Sequence, residues 1–242
     1  MSGDFEAEVG HDRRPPWASR TGKLLVPEAS DPKIERRKAA VSAFKRELIR
    51  EAAKRVFVDV GLHETSVREI AKAAGCTTGA IYAQYASKEE VYADILRESL
   101  TSMAEAVEQA AAAARVGRKG DAALRAWFEY FRERPAEYDL GFYLYGGAKP
   151  AGVGKDLNRE LNVRLKRVYA AAADALEADG LVDASEKHEV AVAGASWMFG
   201  LLLMFRTGRL KILAVDVDVL VDDCLATLYR GTARSRSGRS RG

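Results

Sequence analysis

The segment GLHETSVREIAKAAGCTTGAIYAQYASKEEVY, residues 61 to 92, offers a row of side chains suited to contact with duplex DNA: Thr77, Thr78, Ala80, Tyr82, Ala83 and Gln84. They are small or hydrogen-bonding, and none is acidic. Hydroxyls reach phosphate oxygens, glutamine pairs with adenine edges, and alanine or threonine methyls touch the thymine methyl. Other chemistries lack their residues. There is no G-x-S-x-G and no phosphate loop, so no enzyme class is indicated. His11, His63 and His188 lie far apart without ligand spacing, and neither a metal nor a cofactor is assigned.

Presenting such a row requires a short helix carried by a rigid neighbour. Val67, Ile70, Ala71 and Ala74 follow helical spacing, and Ser66 with Glu69 forms a capping box at the start of that helix. Gly75 ends it, since glycine adopts the left-handed conformation that a sharp turn between helices requires. Cys76, Ile81 and Tyr85 resume apolar spacing in a second helix starting near Thr77, and Ser87 with Glu90 repeats the capping box. An ordinary helical hairpin with a polar face would use the same signals.

The pattern as a whole resembles the TetR family of bacterial transcriptional regulators across residues 41 to 95. The matching positions are Gly61, Thr65, Ser66, Val67, Ile70, Ala71, Ala74, Gly75, Thr77, Gly79, Ile81, Tyr82, Tyr85, Lys88 and Glu89. Cys76 replaces the family's usual Val, and Gln84 and Tyr85 stand where His and Phe are common. The resemblance implies phosphate contacts by Ser66, Tyr82 and Lys88 and base contacts by Thr77, Thr78, Ala80 and Gln84. Arg68 is the one guanidinium in the two motif helices. It fits either a bidentate contact with guanine or a surface pair with neighbouring acids.

Over 242 residues the net charge is only +3, but Lys33, Arg36, Arg37, Lys38, Lys45, Arg46, Arg50, Lys54 and Arg55 crowd together before the motif. Such a stripe is the electrostatic footprint of DNA binding, or a solvated helix face where no motif accompanies it. Cys76 and Cys224 are far apart and indicate no disulfide, which fits a cytoplasmic protein. Met1 to Gly22 contains no apolar core of a signal segment. The uncharged run Val190 to Phe205 spans some 24 Å at about 1.5 Å per residue, short of a bilayer. It fits a helix buried both in its own core and against a partner.

The reading is all-α. Residues 1–38 form a disordered basic extension, 39–86 a three-helix DNA-binding domain, 87–229 a helical effector-binding and dimerisation domain, and 230–242 a disordered Arg-rich tail. The first helix runs from Val41 to Val60 with Phe44, Leu48, Ile49, Ala52, Val56 and Phe57 on its buried side. A long helix starts at Lys88, Asp121 caps the next, Gly180 ends a third, and residues 185–206 and the stretch from Val217 close the domain. Gly194, Ala195 and Gly200 allow close approach of a partner helix. The dimer face is assigned to Trp197, Leu201, Leu202, Leu220, Cys224, Leu225 and Leu228.

The resemblance also implies a small-molecule cavity among the middle helices. Trp127, Phe131, Phe142, Tyr143, Tyr145 and Trp197 are candidates to line it, though a plain core would use the same residues. Their apolar character fits a small apolar or aromatic effector. The resulting expectation is a homodimeric repressor released from a palindromic operator, with no membrane association. The rival is a helical nucleoid-structuring protein that binds DNA through its basic arm and Arg-rich tail without sequence preference.

Overall fold

The computed structural model describes residues 31–141 and 153–239, with side chains as far as Arg230. Every element among them is a helix: α1 (Pro32–Glu64), α2 (Val67–Ala73), α3 (Thr78–Tyr82), α4 (Lys88–Ala113), α5 (Lys119–Glu133), α6 (Pro135–Gly141), α7 (Lys155–Ala178), α8 (Lys187–Arg206), α9 (Arg209–Ile212) and α10 (Val217–Arg239). Phe142, Tyr143 and Tyr145 lie outside the described residues, as do residues 1–30 of the expected extension. Residues 1–41 and 42–242 form two units.

Two boundaries differ from expectation. The first helix begins at Pro32 rather than near Val41, because Asp31 caps it: Oδ1 accepts from the Lys33 amide at 2.9 Å and its carbonyl from Ile34 at 2.9 Å. Proline at the first helical position has no amide proton to leave unbonded. Residues 32–38 are therefore helical, not disordered. At the other end α10 continues to Arg239, so helix extends into the expected tail.

Within the second unit α1 buries Ile49, Ala52, Ala53 and Phe57 as expected, but Phe44 and Leu48 are 65% and 47% exposed. The inward face continues toward the N-terminus through Ser42 and Arg46, seven and three residues before Ile49, and both bond to Gln84. Polar residues thus occupy the side assigned to Phe44 and Leu48. Gly61, with φ 81° and ψ 165°, breaks the helical path of α1 in a conformation that favours glycine.

Two apolar cores form around α4, which runs through both. The first joins Ile49, Phe57, Ile70, Ile81, Tyr85, Val91 and Ile95 to Leu140, Val153 and Leu161. The second contains Met103, Leu124, Trp127, Phe131, Leu176, Met198, Leu202 and Leu225. Packing is therefore continuous across the boundary expected between residues 86 and 87. The N-terminal core also includes residues from α6 and α7.

At the far end α5 is capped from a distance. Asp179 accepts from the Gly117 and Gly120 amides at 2.6 and 2.8 Å, the part expected of Asp121, which is itself buried. Gly120 has little room to spare, since a Cβ there would lie 2.5 Å from Leu176 Cδ2.

Helix α8 is the one described helix long and apolar enough to cross a membrane by length and composition. Its inner face, Ala191, Gly194, Ala195, Met198 and Leu202, packs against α5, α7 and α10. Gly194 serves this packing within the chain, not a partner: a Cβ there would lie 2.8 Å from Leu124 Cδ1. Leu202, Leu225 and Leu228 likewise turn inward, with exposures of 0, 2 and 7%. Their assignment to a dimer face is corrected, because side chains enclosed by their own chain have no surface to offer a second copy. Leu202→Glu and Leu225→Glu are expected to abolish cooperative thermal unfolding followed by circular dichroism, since an unpaired buried carboxylate costs several kcal/mol, rather than yield a folded monomer.

Candidate nucleic-acid interface

The link between α1 and α2 is fixed by polar contacts on both sides. Thr65 is buried, and its hydroxyl donates to the Gly61 carbonyl at 2.7 Å. From α4, the Lys88 ammonium donates to the carbonyls of His63 and Thr65, both at 2.8 Å. Ser66 then caps α2: its Oγ accepts from the Glu69 amide at 3.3 Å, while the Glu69 carboxylate takes the Ser66 amide at 2.7 Å. These hydrogen bonds, from the Ser66 backbone first and then its hydroxyl, hold the Glu69 carboxyl below its ordinary range.

The turn into α3 is a Schellman motif. Gly75, at φ 64°, donates to the Lys72 carbonyl at 3.2 Å, and Cys76 donates to Ala71 at 3.0 Å. Thr77 caps α3, its Oγ1 accepting from the Ala80 amide at 3.2 Å. That leaves the threonine hydroxyl proton free to donate outward. Thr77 and Tyr82 are exposed, and Thr78 and Ala80 partly so.

The exit of α3 is held by a buried carboxylate. Asp94 on α4 is 6% exposed. Its Oδ2 accepts from Tyr85 Oη at 2.7 Å and Arg46 Nη2 at 2.9 Å, and its Oδ1 from Arg97 Nη1 at 2.5 Å. Arg46 also lies 4.5 Å above the Tyr85 ring and donates to the Gln84 carbonyl at 3.4 Å. Burial opposes ionisation of Asp94, but hydrogen bonds from Tyr85, Arg46 and Arg97 hold its carboxyl below the ordinary value. Burial, and then the bond to Asp94, push the Tyr85 hydroxyl well above its usual range, so Tyr85 remains a donor.

Several expected roles change in this light. Helix α3 ends at Tyr82, so Gln84 lies beyond it. The Gln84 amide oxygen accepts from Ser42 at 3.0 Å, which turns it toward α1 and away from the row intended for bases. Lys88 directs two of its three N–H groups to backbone carbonyls, making it a clamp on the loop rather than a free phosphate ligand. The Ser66 hydroxyl is engaged by Glu69 at 2.8 Å. The basic stripe is also thinner than its sequence suggests. Arg46 pairs with Asp94, Arg50 with Glu47 and Glu98, and Lys54 with Glu51 and Glu137. Exposed Lys45, Arg55, Arg68 and Lys72 form no ion pair among the described residues.

Of the candidate ligand residues, Trp127 and Phe131 meet with ring centroids 5.5 Å apart. Phe199 lies 3.9 Å from Trp127, and Tyr138 lies 5.7 Å from Phe131. Sequence spacing did not single out Phe199, because it sits two positions along α8 from Trp197, on the other side of the helix. Trp197 is 38% exposed and points away from this cluster. A groove of about 370 Å³ lies elsewhere, between α4, α5 and α7, floored by Ala111, Ala171 and Ala175. On the outer sides of α8 and α10, Trp197, Leu201, Leu220 and Cys224 keep some exposure, and Val192 and Leu203 extend the surface.

Residues 49–95 match the model of bacterial regulatory proteins of the tetR family, and residues 121–228 match that of the tetracyclin repressor-like C-terminal domain. The chain is 30% identical over 137 residues to the transcriptional activator FasR of Mycolicibacterium smegmatis, a span covering 56% of each protein. It is 38% identical over 58 residues to the repressor KstR2 of the same organism, covering 24% of this chain and 28% of that one. The chain thus spans little more than half of the first curated relative and less of the second. Among solved structures, Bacillus subtilis FadR in complex with stearoyl-CoA aligns with a TM-score of 0.61 at 17% identity, over 76% of this chain and 98% of that one. FadR of Bacillus halodurans, described as a fatty acid degradation regulator, aligns at 0.59 and 20%, over 76% and 94%.

Asp94→Asn is expected to lower stability at neutral pH by about 2–4 kcal/mol, since it takes a counter-charge from three guanidinium groups, those of Arg46, Arg50 and Arg97. Because the folded pKa of Asp94 lies below its ordinary 3.8, its contribution is complete above that value and fades as pH falls through the folded pKa. Urea midpoints of the two proteins should therefore begin to converge only below pH 3.8, and a gap that closes at higher pH, or never narrows as pH falls further, would exclude the charge as the source.

Proposed function

Because the chain belongs to the TetR family of bacterial regulatory proteins, we propose that it is a homodimeric repressor that leaves a palindromic operator when an apolar effector binds. The family consists of DNA-binding transcription regulators rather than enzymes. The observation that carries the reading is the turn at Gly75, which leaves Thr77, Thr78, Ala80 and Tyr82 facing outward on α3, with Arg68 and Lys72 exposed on α2. Thr78 and Ala80 are the base-facing pair. Tyr82 and Thr77 reach phosphates, and Lys45, Arg55 and Lys72 supply the unpaired positive charge that makes binding depend on salt.

A second copy packs on the outer faces of α8 and α10. Trp197, Leu201, Leu203, Leu220 and Cys224 supply the apolar area, and Gly200, with nothing within 4 Å of its added Cβ, permits a close approach. This occupant supports reading α8 as a core helix, because its outer face would otherwise leave Val192, Trp197, Leu203 and Phe205 in water. Two-fold symmetry sets the two α3 helices about one DNA turn apart, roughly 34 to 36 Å, and makes the operator palindromic.

For the effector, the Trp127, Phe131, Tyr138 and Phe199 cluster supports an apolar ligand, and the similarity to FadR of Bacillus subtilis supports a long acyl chain. The experiment is selection of a DNA site from random duplexes, followed by titration of the bound site with stearoyl-CoA. Binding is expected to fall about tenfold or more, and by linkage operator-bound protein must bind the thioester more weakly by the same factor. Selection of no palindrome, or an unchanged affinity across acyl chains, would overturn the corresponding half of the reading.

Two variants separate the interfaces. Thr78→Ala should erode discrimination between the selected site and random DNA by about 1–3 kcal/mol while leaving the salt slope intact. Leu203→Glu should give a folded monomer in sedimentation, because the added charge sits at the proposed partner face and not in the core.

A further inference from the structure

The Asp94 cluster is joined to α7 by one side chain. Arg97, on α4 one turn after Asp94, presents Nη1 to Asp94 Oδ1 at 2.5 Å. Its other edge forms a fork with Glu160, Nε to Oε1 at 2.8 Å and Nη2 to Oε2 at 3.1 Å. Glu160 lies in the second turn of α7, beside Leu161, which is buried in the N-terminal core with Val153. A guanidinium is planar and its five N–H groups have fixed directions, so its two edges cannot be reoriented independently. When Glu160 shifts, Arg97 turns with it, and Asp94 loses or gains a donor.

On the other side Asp94 holds Tyr85 and Arg46, the two groups that fix the exit of α3. Tyr85 and Glu160 share no direct hydrogen bond or ion pair. Tyr85 reaches Asp94 itself, and Glu160 reaches it through Arg97. We propose that Arg97 is the coupling residue of this protein, a positioning side chain that relays the placement of the first turns of α7 to the exit of the DNA-reading helix. Its meaning for regulation rests on the proposed function, since a relay matters only if α7 answers to an effector and α3 to DNA. The physical coupling exists independently of either.

The test is a double-mutant cycle between Glu160→Gln, which weakens the Glu160 pairs with Arg97 and Arg164, and Tyr85→Phe, which removes the hydrogen bond to Asp94; both conserve shape. It is run on the affinity for DNA selected from random duplexes and, in parallel, on the unfolding equilibrium in urea without DNA. Sites with no shared partner multiply their effects, whereas sites in one network depart from the product. In the natural background the combined effect should depart from the product by at least about threefold. In an Arg97→Gln background the product should be restored. Arg97→Lys, which keeps the charge and loses the fork, takes its place if Arg97→Gln does not fold. Simple multiplication in the natural background overturns the proposal, and so does a departure that survives loss of the Arg97 fork. If no DNA site can be selected, the regulatory reading fails and the urea cycle alone decides the coupling. If a site is selected, the DNA cycle decides.

Discussion

A carboxylate buried where three helices meet sets the terms for the DNA-reading half of this molecule. Taken out of water alone, Asp94 would cost far more than a small core returns, and the cost is offset only by donors in good geometry. They come from α1 through Arg46, from the exit of α3 through Tyr85, and from α4 itself through Arg97. Each donor must stay in place for the others to be tolerated. The relative placement of α1, α3 and α4 is thus specified more sharply than by apolar packing alone, which accepts small sliding of one helix on another.

The same constraint explains the division of labour among the basic residues. A run of lysines and arginines ahead of a helix-turn-helix looks like a phosphate-binding face, yet Arg46, Arg50 and Lys54 neutralise carboxylates of α1, α4 and α6. The exposed charge without an ion pair among the described residues is carried by Lys33, Arg36 and Arg37 at the start of α1 and by Lys45, Arg55, Arg68 and Lys72. Fixed internal pairs stiffen the head, and under the proposed function the unpaired cations are the ones left to meet phosphates. Net charge, at +3 for the chain, conveys neither role.

What was legible in the sequence was local. Ser66 with Glu69, Gly75 and Thr77 act on backbone groups close in the chain, and the helices they delimit start where spacing put them, although α3 ends at Tyr82, short of Tyr85. The Asp31–Pro32 start is equally local and was available to the same reasoning. What escaped depends on partners distant in the chain. Asp179 caps α5 across nearly sixty residues, and Gln84 turns to Ser42 across more than forty. Periodicity identified apolar stripes on α8 and α10 but assigned Leu202, Leu225 and Leu228 to the wrong neighbour. A stripe reports that a face is covered without saying whether the cover is the same chain or another. In the aromatic cluster, Trp127 and Phe131 share a helix and were read as one stripe, whereas their partner Phe199 comes from α8 and spacing did not connect it to them.

The sharing of the N-terminal core with Leu140, Val153 and Leu161 has a consequence for how the chain comes to be folded. Helices α1 to α3 emerge from the ribosome long before those three side chains, and the Tyr92 hydroxyl emerges long before the Leu140 carbonyl to which it donates at 2.6 Å. Until residue 161 has been made, Phe57, Tyr92 and Ile95 lack part of their cover, and the nascent chain carries an apolar surface that a chaperone or a neighbouring chain can occupy. A chain cut at the end of α4 would thus lack Leu140, Val153 and Leu161 from the core of its N-terminal helices.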